Sequence, residues 1–163
     1  MNALIASGLW QHTLATMKDD PHEKHRERLR ASFSTFHNKA EHLVGLITKD
    51  VPDYTVHDIT HLDALWEIAS TIAGDDYQFN PAEAFVLGGA ILLHDAAMCL
   101  AAYPGGMRDL QKTPAWRDSV ALLLSAGGKT PTSEDIASPP QEIAHQALQE
   151  TLRLLHAQKA RAI

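Results

Sequence analysis

Apolar residues recur along this chain at three- and four-residue spacing, and strict alternation of β-branched residues is missing. That pattern predicts an all-α fold with little or no sheet. A first helix is expected from about Asn2 to Met17, where Leu4, Ile5, Leu9, Trp10, Leu14 and Met17 share a face, and the polar turn Lys18-Asp19-Asp20 stops it. It is expected to pack as an outer layer. Pro21 after Asp20 suits the start of a second helix, along which Phe33, Phe36, Ala40, Leu43 and Ile47 recur as far as Lys49. Its opening, His22 to Arg30, is almost wholly polar and is expected to project into solvent or meet a partner.

Pro52 closes that helix, and Asp53-Tyr54-Thr55 is expected to link it to a third, mostly buried one that carries Ile59, Leu62, Leu65, Trp66, Ile68, Ala69 and Ile72 to a stop at Gly74. Asn80-Pro81 restarts the chain as an N-cap followed by a first-turn proline. So few polar residues precede His94 that this fourth helix is expected at the centre of the domain. Tyr103-Pro104-Gly105-Gly106 breaks it off, Met107 to Gln111 suits one short helical turn, and Thr113-Pro114 caps and begins the next helix, with Trp116, Val120, Leu123 and Leu124 inward. After Gly127-Gly128, residues Lys129 to Pro140 are expected to form a loop. A last helix then places Ile143, Ala147, Leu148, Leu152 and Leu155 inward and reaches Ile163 without a stop signal, which suggests the front part of a longer protein.

Size and composition narrow the class. The 163 residues suit one domain, with residues 1–50 as a helical extension and 51–163 as the core. An apolar share of 45% with 21% charged residues lies in the globular range. A net charge of −6 excludes a global basic field that would gather nucleic acid or anionic lipid, so a phosphate-bearing ligand must be held locally. Cys99 is the single cysteine, which excludes an internal disulfide. With no signal peptide and no apolar run of spanning length, the cytoplasm is the expected compartment.

Ten histidines by themselves make no site. His12, His22, His25, His37 and His42 fall on polar faces or helix ends and are expected to be ordinary surface residues. His57-Asp58-Ile59-Thr60-His61 is more specific, because i, i+4 spacing puts two imidazoles on one helical face with Asp58 beside His61. Two readings stay open for it: a grip on a metal, or a histidine that caps the helix or packs on Trp66. His94-Asp95 ends a nearly unbroken apolar helix, and a carboxylate there must be paired, hydrogen-bonded or bound to a cation. Imidazole ligands on the same cation would meet that need. The alternative is that Asp95 caps a neighbouring helix or bonds an arginine such as Arg108.

The segment Tyr54 to Leu65 around His61, and Ala90 to Met98 around His94-Asp95, resemble the HD superfamily of metal-dependent phosphohydrolases. Leu152-Arg153-Leu154-Leu155-His156-Ala157 is similar to a histidine-bearing helix in a subgroup found at the N-terminus of large prokaryotic proteins with a chaperone-type ATPase module. The resemblance covers about residues 40–163 and implies an HD-like bundle of about six to seven helices. It implies a divalent ion, or a pair, on His61, His94 and Asp95, with His57 and His156 as further ligands, acting on a phosphate-containing small molecule or nucleotide. The downstream ATPase module is the implied partner within the chain, and nucleic acid is left open. Manganese, iron, zinc and magnesium all fit such ligands, though histidine argues against magnesium alone. Asp58 is the candidate for orienting an imidazole or shuttling a proton, and Asp95 is counted as a catalytic carboxylate as well as a ligand. Arg108, Lys112 and Arg117 are the expected phosphate-binding cluster. The family's closing aspartate has no clear counterpart, since Asp109, Asp118 and Asp135 all precede His156; without it the domain would be a degenerate fold used for regulation.

Overall fold

The computed structural model describes residues 2–52, 56–74, 76–126, 128 and 130–161, and every regular element among them is helical. The expected link at Asp53-Tyr54-Thr55, Gly127 of the glycine stop, Lys129 of the expected loop and the end of the chain at Ile163 lie outside the described residues.

The expected first helix is two, α1 (Asn2–Ala6) and α2 (Gly8–Thr13). Ser7 breaks it by offering its hydroxyl as an alternative to the helical ladder. Its Oγ donates to the Leu4 carbonyl at 2.7 Å and accepts from the Trp10 N–H and from Trp66 Nε1 at 2.8 Å, so the backbone turns extended and α2 starts afresh. The pair packs as an outer layer, with Leu4, Leu9, Trp10 and Leu14 buried and Ala3, Ala6, Gln11 and His12 exposed; Ile5, expected inward, is exposed too.

α3 (Glu23–Val44) opens with the polar segment, and what that segment meets is the chain's own N-terminal turn. Arg26 donates to the Asp20 carboxylate and the Thr13 carbonyl, and Arg30 donates to the Leu14 carbonyl and to Glu23. The carbonyls left over at the end of α2 are satisfied in this way, which is why α2 stops before Met17. α3 ends at Gly45 rather than running to Lys49. The turn at Gly45-Leu46 sets α4 (Ile47–Asp50) so that Ile47 and Val51 are buried and the Asp50 carboxylate accepts the Leu100 N–H at 2.7 Å.

α5 (Ile59–Ala73) begins at its Asp58 N-cap and stops at Gly74, whose φ of 53° is a conformation glycine adopts freely. α6 (Pro81–Leu93) begins with a complete capping box, Asn80 Oδ1 accepting from Ala82 and Glu83 while Glu83 accepts from the Asn80 N–H. α6 is not buried all round. Ala84, Gly88 and Leu92 face inward on one stripe, and Val86 is exposed. At Gly88 the helix rests on the rings of Phe33 and Trp66, where any added methyl would overlap both. Trp10, Phe33 and Trp66 form an aromatic cluster with centroids 5.4–6.4 Å apart, joining α2, α3 and α5.

Beyond α6 the chain dives into the core, with Asp95, Ala96, Ala97, Met98 and Cys99 all buried. A single 3-10 turn (Leu100–Ala102) leads to α7 (Met107–Gln111) and α8 (Pro114–Ala126), the latter capped by Thr113 Oγ1 accepting from the Trp116 N–H. The expected loop contains a short helix, α9 (Ser133–Ala137), started by a capping box between Thr132 and Asp135. α10 (Gln141–Ala160) lies along α8 over a second, smaller core of Trp116, Val120 and Ala147. Among the described residues no helix is long and apolar enough to cross a membrane.

Candidate metal centre

The core-directed turn after α6 delivers one carboxylate, Asp95, only 5% exposed, into a ring of imidazoles. His94, its chain neighbour, places Nε2 at 2.8 Å from Asp95 Oδ2. His61, in the first turn of α5, is at 3.5 Å, and His57, just before that helix, is at 4.0 Å. From the far side, His156 of α10 brings Nε2 to 4.0 Å from Asp95 Oδ1. His57 is not on the helix, as the i, i+4 reading had it, because Asp58 is the N-cap; its ring still lies 5.4 Å from that of His61, which in turn lies 5.6 Å from that of His94. Neither alternative reading of these residues fits. Trp66 packs with Trp10 and Phe33, and the ion-pair partners of Asp95 are imidazoles rather than Arg108.

Two of the rings are held in a fixed sense. His94 Nδ1 lies 2.7 Å from the Ile91 carbonyl and His156 Nδ1 2.5 Å from the Arg153 carbonyl. A carbonyl can only accept, so both Nδ1 atoms carry the proton, and in the neutral ring Nε2 presents a lone pair towards Asp95. At 2.8 Å from a carboxylate that lone pair takes up a proton. The hydrogen bond to Asp95 raises the His94 pKa above its ordinary value against the opposing effect of burial. Burial pushes the Asp95 carboxyl up, but the His94 hydrogen bond and the charges of His94, His57 and His61 outweigh it and hold Asp95 below the usual range.

A cation fits the place of that proton. Donor atoms of His61, His94 and Asp95 all lie within 4.8 Å of one another. Tetrahedral ligands with bonds of about 2.0–2.2 Å stand about 3.3–3.6 Å apart, so the three donors close in on an ion by moving together. The backbone carbonyls on Nδ1 are the outer partners such imidazole ligands need.

The other sequence candidates stand apart from this group. Asp58 spends its Oδ1 on the N–H groups of Thr60 and His61 and on the Thr60 hydroxyl at 2.5 Å; chiefly that last bond holds its pKa below the usual carboxylate value. It sets the first turn of α5 and thereby His61. Arg108 is exposed on α7, Lys112 pairs with Asp109 at 3.5 Å, and Arg117 lines a separate cleft with Trp116 and Ile136. Asp109 accepts the Gly105 N–H, Asp135 caps α9 and Asp118 is exposed, so none of the three joins the donor group.

Two features escaped the sequence reading. His37 is buried at 3% exposure, with Nε2 2.7 Å from Asp63 Oδ1. Its position four residues after Phe33 and three before Ala40, both inward, was the available signal. Lys159, one turn beyond His156, lies over the ring of buried Tyr103, 5.4 Å from its centroid. Only the helical spacing from His156 could have pointed to it.

A family model described as HD-CE matches residues 51–163. No curated protein and no solved structure matches the chain.

Proposed function

The chain belongs to the HD-CE family, whose domains are HD-like, and from that premise we propose that it is a metal-dependent phosphohydrolase acting on a phosphate ester or nucleotide. The observation that carries this is the convergence of four imidazoles on one buried carboxylate, two of them anchored through Nδ1 to backbone carbonyls. His61, His94 and Asp95 would hold a divalent ion, with His57 and His156 within reach of the same carboxylate. When bound, such an ion lowers the pKa of a water towards about 7 and offsets charge on a phosphoryl oxygen.

The chain's own residues do the rest. The Ile91 and Arg153 carbonyls keep His94 and His156 presenting Nε2, and the Asp58 cap keeps His61 at the start of α5. Buried Asp95 supplies the negative charge that makes the pocket a cation site rather than a cluster of repelling imidazolium rings. Mixed imidazole and carboxylate donors suit manganese, iron or zinc, with magnesium alone the poorest match.

The test is elemental analysis of protein purified without chelator, beside an Asp95→Ala variant, followed by hydrolysis assays on p-nitrophenyl phosphate and nucleotides with each metal. Bound metal that disappears with Asp95, together with metal-dependent release of phosphate, is the expected result. Metal in neither protein would leave a helical binding module and end the hydrolase reading.

A further inference from the structure

We infer that Lys159 is the cation that holds a substrate phosphate oxygen beside the metal centre and fits that centre to phosphate monoesters; the inference rests on the hydrolase reading of the same site. Leu152, His156 and Lys159 follow one another at i, i+4 and i+7 along α10, so they share the face on which Leu152 is buried. His156 reaches Asp95 from this face. Residues three apart on a helix are neighbours about 5–6 Å apart at Cβ, and a lysine stem spans a similar length again. Lys159 is therefore the neighbour of His156 on the face of α10 that reaches Asp95.

Tyr103 fixes where the Lys159 ammonium waits. The ring is buried at the end of the segment that runs from Asp95 through the 3-10 turn, and Lys159 Nζ sits 5.4 Å from its centroid. An aromatic face attracts an ammonium without neutralising it, which keeps the charge available. Among the described residues no carboxylate pairs with Lys159, whereas Lys112 is paired with Asp109 and Arg117 faces another cleft. The Tyr103 hydroxyl is buried with no hydrogen-bond partner, so ring placement, not a hydroxyl anchor, is what Tyr103 contributes.

Charge decides the substrate class. Neutral imidazoles, one carboxylate and a divalent ion with its water still un-ionised sum to one positive charge, against about −1.5 to −2 on a phosphate monoester at pH 7. Lysine supplies the missing charge. A diester, with one negative charge, is matched without it. An ammonium is a point charge that suits one phosphate oxygen, while arginine in its place keeps the charge.

The experiment loads the full chain with Mn2+ and measures binding of inorganic phosphate by titration calorimetry, together with KM and kcat for p-nitrophenyl phosphate and bis(p-nitrophenyl) phosphate. Lys159→Gln is expected to weaken phosphate binding and raise the monoester KM by about tenfold, the scale of one charge-assisted hydrogen bond, with kcat and the diester KM changed far less. Lys159→Arg should restore most of both, and metal content should be the same in all three proteins. Unchanged phosphate binding in Lys159→Gln, no phosphate binding by the parent protein, or a loss that falls on Arg117→Gln instead would overturn the assignment. Lysine-dependent phosphate binding without hydrolysis of either ester would retire the hydrolase reading and leave the phosphate site standing.

Discussion

Two histidine–aspartate pairs of nearly equal length lie in this molecule, His94–Asp95 at 2.8 Å and His37–Asp63 at 2.7 Å, and their surroundings differ. His37 joins α3 to α5 from a position 3% exposed, and its second nitrogen, Nδ1, is buried without a hydrogen-bond partner. Among the described residues no second imidazole pairs with Asp63. His94 has its Nδ1 satisfied by the Ile91 carbonyl, is more than a third exposed, and shares its carboxylate with His57, His61 and His156. The pair alone is therefore not the mark of a metal site. What sets the His94–Asp95 pair apart is that several imidazoles surround one carboxylate, with an edge open to solvent.

The comparison breaks most visibly if the two carboxylates are removed in turn. Asp63→Ala leaves a buried imidazole without its partner, and loss of one member of a buried pair costs about 3 kcal/mol. Urea melts should show that loss with metal content unchanged; a stable variant, or one that sheds metal, would mean the two pairs are not separate. Asp95→Asn should do the opposite. It keeps the shape of the side chain, so the metal-free fold should change by about 1 kcal/mol or less, while metal retention drops by about a hundredfold, the upper end of what outer-partner changes already cause. Equilibrium dialysis against a chelator of known affinity reads that ratio.

His156 sharpens the contrast at a smaller scale. Its Nε2 stands 4.0 Å from Asp95 Oδ1, further than His61 or His94 stand from Oδ2. His156→Gln should weaken metal binding by about tenfold, well short of the Asp95→Asn loss. A loss equal to that of Asp95→Asn would make α10 an equal contributor to the centre.

Much of this was legible from spacing alone. The caps at Asn80 and Thr113 and the stop at Gly74 are local chemistry, and each stands where the pattern placed it, whereas the Asp58 cap starts α5 later than the pattern had it. His61, His94 and Asp95 were legible because a carboxylate at the end of an apolar helix demands a partner. Most of the failures involve a partner distant in sequence. Ser7 breaks the first helix partly through Trp66, 59 residues away, and the polar face of α3 is spent on carbonyls of Thr13 and Leu14. His37 looked like a surface residue because Asp63, 26 positions on, is invisible to periodicity. α9 was missed for a different reason: its capping box has aspartate where the familiar pattern has glutamate, and the helix it starts has only five residues.

The smallest effect is the pH dependence, and it singles out His94. The raised pKa of His94 means that its contribution to the metal-free fold is complete below about 6.5 and is lost as pH rises through the folded value. Asp95 and Asp63 both have lowered pKa values, so their contributions are present above about 3.9 and are lost as pH falls through the folded values. The His94–Asp95 pair thus steadies the metal-free protein most between about pH 4 and 6.5. Metal requires the proton on His94 Nε2 to leave, so affinity for Mn2+ should rise over the range in which that stabilisation fades. Because His94 is 37% exposed at its side chain, the loss of metal-free stability between pH 6 and 9, relative to His94→Gln, should stay below about 1 kcal/mol. Asp63→Ala should leave that alkaline change intact, since the Asp63 carboxylate has its effect towards acid. Chemical melts of metal-free protein at pH 6 and 9 decide it: an alkaline change that vanishes with Asp63 rather than with His94 would mean that the buried pair, not the converging one, is the group that gives up its proton.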